Sequence, residues 1–298
     1  MRPVPLDIML PYWGDPVMAR RAVDSVLAQT ADEWRLTVVD DAYPDPTFAN
    51  WLGTLDDERV TYVRKEQNEG ITANFRTCVE LARSDYLAIL GADDVLLPGY
   101  VDTVFRALDH HPGVDILQPG VQVINEHGQV VAPLADIVKQ RLTMPRGHGA
   151  RVVVGEALAA SLLRADWMYW PSLVFRRERI VNTPFRPQFS IIQDLAVVID
   201  MVLDGATLLI VPEEVFQYRR HSSSASMAAL LDGRRFAGER EYFALAAHLM
   251  AERGWRRAER AARCHLTSRL HALTLLPVAL RGHRQAVPTL LQHAFAWA

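Results

Sequence analysis

Along the first hundred positions, apolar residues recur with two alternating periods. Short, mostly apolar runs at 6–10, 36–39, 60–63 and 86–90, broken only by Asp7, Thr37 and Thr61, predict buried strands, whereas 16–29, 48–55 and 71–82 carry apolar residues at helical spacing. In the helix over 16–29, Met18, Ala22, Val26 and Gln29 share one face, with Asp15 as a carboxylate cap and Pro16 in the first turn. Pro98 opens a further helix. This alternation predicts βαβ units, right-handed crossovers and a mostly parallel sheet. Ligands of such sheets bind beyond the carboxyl ends of the strands. Three polar segments fall there and should share one edge: Pro11-Tyr12, Asp40-Asp41 and Asp93-Asp94.

The middle of the chain is less regular. Strands are expected over 115–124, 172–175 and 207–211, helices over 154–165 and 194–203, a turn at 125–128, and a charged, glycine-containing mobile loop over 139–149. From about residue 225 the pattern is almost wholly helical. The expected organisation is an α/β domain over 1–224, divided into halves 1–100 and 101–224, and a helical C-terminal extension over 225–298.

Composition narrows the function classes. Half of the 298 residues are apolar, enough for a sizeable core, and the net charge of −3 gives no support to a nucleic-acid partner. Cys78 and Cys264 fit no metal-ligand spacing and make no disulfide framework, which suits a reducing compartment. No signal peptide is expected, and the longest apolar tail segment, 270–280, is too short to span a bilayer and contains Pro277. A soluble cytoplasmic protein is expected, with loose attachment to the inner membrane face as an option.

Paired carboxylates are the leading candidates for chemistry. Asp93 and Asp94, adjacent at a strand end, repel each other, and a divalent oxygen-loving cation such as Mn²⁺ or Mg²⁺ relieves that. A plain acidic helix cap is the other reading, and the more common one for an isolated pair. Asp40-Asp41 forms a second pair at the same edge, suited to a nucleobase or ribose, or else to a turn before Pro44 and Pro46. Asn68-Glu69-Gly70 precedes a helix whose amino end favours phosphate, or is a simple cap. Gln193-Asp194 opens a helix, where Asp194 is a base for an acceptor hydroxyl or an N-terminal cap. Tyr218-Arg219-Arg220-His221 offers a phosphate clamp and a metal ligand, or a solvated basic turn. The aromatic run Trp167-Met168-Tyr169-Trp170 suits a sugar platform or a packed core equally.

Taken in order, these motifs resemble the family 2 glycosyltransferases of GT-A fold over about residues 6–222. The resemblance is carried by Ser25-Val26-Leu27-Ala28-Gln29-Thr30, Thr37-Val38-Val39-Asp40-Asp41, Asn68-Glu69-Gly70, the segment 86–98 with Asp93-Asp94, Gln193-Asp194-Leu195, and Tyr218 to His221 followed by Ser224 and Ser226. It implies a Rossmann-like nucleotide-binding half, an acceptor-binding half, and an inverting hexosyl transfer from a nucleotide-sugar, dependent on Mn²⁺ or Mg²⁺. The implied donor contacts are Pro11, Tyr12, Asp40, Asp41, Asn68, Gly70, Ala92, Asp93 and Arg220, and the metal ligands are Asp93, Asp94 and His221. Asp194 is then the base, with Trp170 and Gln193 at a sugar, lipid-linked or small-molecule acceptor.

The chain departs from the family pattern in three places. Gly91 stands at the first position of the usual Asp-x-Asp-Asp cluster, Ala42-Tyr43 replaces the usual Gly-Ser, and Gln193 replaces a common Glu. These departures keep open a degenerate sugar-binding domain. A nucleotidyltransferase is the other alternative, although residues 11–21 lack its lysine-bearing phosphate loop. The arginine-bearing helical tail is expected to pack on the domain, to pair two copies, or to rest on a membrane.

Overall fold

The computed structural model describes residues 4–145, 147, 149–220 and 234–295. Its first part follows the expected alternation: β1 (Leu6–Tyr12), α1 (Pro16–Leu27), β2 (Trp34–Asp40), α2 (Thr47–Leu52), β3 (Val60–Arg64), α3 (Ile71–Leu81), β4 (Tyr86–Ile89), a two-residue β5 (Val95–Leu96) and α4 (Tyr100–His110). Asp15 caps α1 by accepting from the Val17 and Met18 amides, with Pro16 in the first turn as its fixed φ requires. The helix buries Ala19, Ala22, Val23 and Val26 against the sheet.

The second part contains β6 (Ile116–Ile124), α5 (Leu134–Val138), β7 (Arg151–Val154), α6 (Gly155–Arg164), β8 (Val174–Arg176), α7 (Arg177–Val181), α8 (Gln193–Leu203) and β9 (Thr207–Arg219). The tail forms α9 (Arg234–Glu252), α10 (Arg256–Cys264), α11 (Leu266–Gly282) and α12 (Val287–Phe295).

The strands form one sheet in the order β3-β2-β1-β4-β8-β6-β9-β5, with β7 also paired to β9. β3, β2, β1 and β4 are mutually parallel, and β6 runs parallel to β9; β8, β5 and β7 join antiparallel. The ends of β1, β2 and β4 therefore lie side by side, as the sequence pattern required. β9 is much longer than the expected 207–211. Pro212, Glu213 and Glu214 are exposed and interrupt its apolar run, and the register against β6 shifts around Gly120. Gly120 is needed there, because a Cβ would lie 2.6 Å from the Pro212 carbonyl oxygen. The continuation past this bulge carries Tyr218 and Arg219 back to the end of β4.

Helices cover both sheet faces, and the core divides accordingly. The tail joins it: Tyr242, Phe243, Ala246 and Met250 of α9 and Ala258 and Ala262 of α10 pack with α6 and α8. The expected boundary at 224/225 lies outside the described residues.

The first part of the loop expected over 139–149 is regular. Residues Lys139–Thr143 continue α5 as a wide, π-type turn, and Gln140 Nε2 donates to the Val121 carbonyl at 2.9 Å and contacts the Tyr169 hydroxyl. Polar Lys139 and Gln140 read as loop because their partners, Tyr169 and the Val121 carbonyl, lie far along the chain.

Candidate active site

The site is built where β1, β2, β4 and β9 end. Asp93 and Asp94 follow β4. Asp94 is buried, its Oδ1 accepts from the Arg219 amide at 2.8 Å, and its Oδ2 is buried without a partner among the described residues. Burial first, and the neighbouring Asp93 charge second, push the Asp94 carboxyl well above the usual carboxylate range. Asp93 is half-exposed. Gly91 has its own steric reason: a Cβ there would lie 2.5 Å from Asp94 Oδ2 and 3.1 Å from Asp93 Oδ1. One oxygen of each carboxylate thus flanks the same small space, which a larger residue at 91 would fill.

That space suits a hard divalent cation: the buried Asp94 oxygen has no partner among the described residues, both flanking groups are oxygens, and a cation would favour the ionised carboxylate that burial otherwise opposes. Among the described residues no group of three or more His, Cys, Asp or Glu could hold a metal. Two carboxylates with substrate phosphates and water completing the shell is a common Mg²⁺ arrangement. His221, the other expected ligand, lies outside the described residues.

The run Ser25 to Thr30 holds this motif in place. Ser25 Oγ accepts from the Leu96 amide at 3.1 Å, and Gln29 bonds both the Leu97 carbonyl at 2.9 Å and the Val101 amide at 3.1 Å. Thr30 donates to the Pro98 carbonyl at 2.8 Å and to Asp102. These polar residues of α1 and its exit therefore brace the segment directly after the acid pair. Arg219 supports it from the other side, its Nε donating to the Asp93 carbonyl at 2.6 Å. The sequence places Arg219 among the arginines of a phosphate clamp; its role in bracing the acid pair is not legible there, because Asp93 and Asp94 lie 126 and 125 residues earlier.

Asp40 and Asp41 are also buried, and their oxygens serve the protein. Asp40 accepts from the Tyr43 amide, the Tyr62 hydroxyl and Arg64. Asp41 accepts from the Glu69 and Gly70 amides at 3.1 and 2.8 Å and pairs with Lys65 at 3.2 Å. The pair thus ties the end of β2 to the Asn68–Gly70 turn, where Gly70 takes a positive φ of 86° and Asn68 is exposed. Ala42, which stands where glycine is usual, also has a positive φ of 62°. Tyr12 is buried against Tyr43 and Phe48, beneath the half-exposed Pro11. Ala92 is half-exposed beside Asp93.

Asp194 lies in the first turn of α8 and accepts from the Leu195 amide at 2.8 Å. It is half-exposed, yet the surrounding protein raises its carboxyl above the usual range, while Lys139 and Arg235 oppose that shift. Asp166, not singled out from the sequence, is a solvent-accessible carboxylate within electrostatic reach of Asp194; the enclosing protein first, and Asp194 second, push it up. Lys139, enclosed by the protein and with its ammonium 4.2 Å over the Tyr169 ring, feels both carboxylates. Tyr218 joins the two halves: it feels Asp93 and Asp94 on one side and Arg220 and Asp136 on the other, and it packs against Tyr169 at 5.2 Å.

Three expected site residues have other partners. Arg220 makes a two-pronged ion pair with buried Asp136, at 2.7 and 2.9 Å, and Asp136 also accepts from the Tyr169 hydroxyl. Its guanidinium therefore clamps α5, with the side chain still partly exposed. Trp170 is 7% exposed and packs on Phe75 and Phe175, so core packing accounts for it rather than an open sugar platform. Gln193 is buried and accepts from Thr72 at 2.6 Å, which joins α8 to α3.

Residues 7–151 match the family model described as glycosyl transferase family 2. Among relatives, an uncharacterized glycosyltransferase, MJ1057 of Methanocaldococcus jannaschii, is 25% identical over 44% of this chain and 46% of its own length. The succinoglycan biosynthesis protein ExoW of Rhizobium meliloti is 32% identical over 35% of this chain and 34% of its own. The chain thus spans less than half the length of these curated relatives. Among solved structures, Staphylococcus aureus TarS 1–349 superposes with a TM-score of 0.68 at 14% identity, covering 98% of this chain and 81% of that one. A second TarS structure, in complex with UDP-GlcNAc, gives 0.63 at 13% identity over 97% and 90%. At these identities the likeness is one of fold.

Proposed function

From a chain whose residues 7–151 belong to glycosyl transferase family 2 and whose fold is GT-A, we propose an inverting sugar transfer from a nucleoside-diphosphate donor to an acceptor hydroxyl. The observation that carries this reading is the acid pair at the end of β4, with its orphaned buried oxygen and the space that Gly91 leaves beside it. Two carboxylates enclosed together at a parallel-strand edge are costly without a cation and a polyanionic ligand to face.

In this reading Asp93 and Asp94 hold Mn²⁺ or Mg²⁺. A divalent cation so bound neutralises charge on the departing diphosphate. The chain's own residues do the rest. Arg219, Ser25, Gln29 and Thr30 fix the acid pair against the sheet, so little reorganisation is needed when charge develops. Asp40 and Asp41 shape the β2 end and the Asn68–Gly70 turn that face the donor nucleoside. Asp194 takes the proton from the acceptor hydroxyl as it attacks the anomeric carbon, in one displacement. A raised carboxyl suits that task, because it is a stronger base than a free aspartate. Lys139 and the turn Lys139–Thr143 close the acceptor side and limit water near the activated donor.

TarS was solved with UDP-GlcNAc and with UDP, which makes a uridine donor the first to try. A hexosyl group, a sugar or lipid-linked acceptor, and a cytoplasmic setting belong to the same proposal. Thermal-shift measurements on the purified chain with a panel of nucleoside diphosphates test it. One nucleoside diphosphate should raise the melting temperature in the presence of Mn²⁺ and not with EDTA. The absence of a Mn²⁺-dependent shift with every base would refute it.

A further inference from the structure

Charge is divided unevenly along this chain. Residues 234–295 carry eleven arginines, four glutamates and no lysine or aspartate, a net charge of +7. The whole chain is at −3, so everything before and after that stretch sums to −10. Five of these arginines (253, 256, 257, 260 and 263) are exposed on and just before α10, and Arg281 and Arg284 are exposed at the end of α11.

Between these basic ends runs an apolar stripe left largely exposed among the described residues. On α11, Leu266, Leu270, Leu273, Pro277 and Leu280 recur at helical spacing and fall on one face. Leu266, Leu270 and Leu280 are 55%, 51% and 55% exposed. The opposite face of the helix is the one that packs: Ala272 and Ala279 are buried, in a small cluster with Phe236 and Leu290. On α12, Leu291 and Phe295, one turn apart, are also exposed. No helix among the described residues is long and apolar enough to cross a membrane. The pattern is that of helices whose outer face is apolar and whose ends are cationic.

We propose that α11 and α12 form a docking surface for an anionic lipid bilayer, the leucine stripe entering the headgroup boundary and the flanking arginines meeting lipid phosphates. Charge complementarity selects this occupant. A second copy pairing stripe to stripe would bring two +7 tails together, whereas an anionic surface attracts the tail and repels the −10 remainder. The same division of charge orients the molecule with its tail toward the lipid. Neither argument depends on the sugar-transfer reading, and vesicle binding is measured without donor or metal.

Flotation of the full chain with vesicles tests the proposal. The chain should float with vesicles of equal parts phosphatidylcholine and phosphatidylglycerol, stay behind with phosphatidylcholine alone, and release as salt is raised. The combined Leu266→Ser, Leu270→Ser and Leu280→Ser variant alters only exposed positions. It should keep the wild-type circular dichroism and lose at least about tenfold in partitioning, the order expected for removing three leucines from an apolar contact. Arg263→Glu with Arg281→Glu and Arg284→Glu should lose binding to the anionic vesicles as well. Equal flotation with both lipids, no flotation with either, or wild-type binding by the leucine variant overturns the proposal. So does a dimer in light scattering that the leucine variant dissolves, because the stripe would then belong to a second copy.

Discussion

Replacing Gly91 by alanine is a sharp perturbation of the site. The added methyl carbon would lie 2.5 Å from Asp94 Oδ2, nearly an ångström inside ordinary contact, and 3.1 Å from Asp93 Oδ1. Asp94 cannot simply swing aside, because its other oxygen is held by the Arg219 amide at 2.8 Å and the whole side chain is buried. Moving it breaks that bond. Burial holds the Asp94 carboxyl well above the usual range, so the bond is treated as a neutral one, about 0.5–1.5 kcal/mol. A carboxyl forced about 30° off its rotamer adds about 0.5–1.5 kcal/mol. Gly91→Ala should therefore destabilise the metal-free protein by about 1–3 kcal/mol. In a melt this is a drop of several degrees, at about 2–4 °C per kcal/mol for chains approaching this size. Calorimetry should show Mn²⁺-dependent nucleoside-diphosphate affinity falling more than about tenfold, because the methyl occupies the space between the two carboxylate oxygens. Gly91→Asp, which restores the more usual family pattern, should do no better than alanine, since the clash begins at Cβ. A Gly91→Ala protein that melts within a degree of wild type and binds the nucleotide equally well would refute the assignment of this space.

Other consequences are open to measurement. Asp194→Asn should lower turnover by at least about a hundredfold while nucleoside-diphosphate affinity stays within about twofold; wild-type turnover would remove Asp194 as the base. The base acts ionised and its carboxyl is raised, so the acid limb of the wild-type rate profile should lie above the usual carboxylate range, activity rising with pH through it; a limb at an ordinary aspartate pKa would contradict this. Ala42→Gly should stabilise the protein by about 0.5–1 kcal/mol in urea melts, the relief of a left-handed alanine less the added freedom of the unfolded chain. A fragment ending at residue 220 exposes the faces of α6 and α8 that α9 and α10 cover, and should show no cooperative melt; a soluble, cooperatively melting fragment would show that the tail is dispensable.

What could be read from the sequence follows from how local the signals are. The strands and helices up to residue 110 carry complete periodic patterns, and the parallel order follows from their alternation. The edge positions of Asp40-Asp41 and Asp93-Asp94 followed from the same rule. β9 was truncated because exposed Pro212, Glu213 and Glu214 interrupt its apolar run, although they lie on a bulge of a continuous strand. The turn Lys139–Thr143 was read as loop because Gln140 finds its partners on β6 and at Tyr169. Arg220 looked free because its partner, Asp136, lies 84 residues earlier in an unremarkable stretch. The residue type told what each group can do; only the fold told which group it meets. Gly91 shows the converse, since what reads as a gap in an acidic motif is the room that Asp93 and Asp94 need.

The most direct test of the account is nucleoside-diphosphate release from a panel of nucleotide-sugars, with uridine donors first. With Mn²⁺ at least one donor should yield free nucleoside diphosphate, and both EDTA and the Asp93→Ala substitution should stop the release. Release of pyrophosphate instead, or silence with every donor, would contradict a metal-assisted sugar transfer at the acid pair.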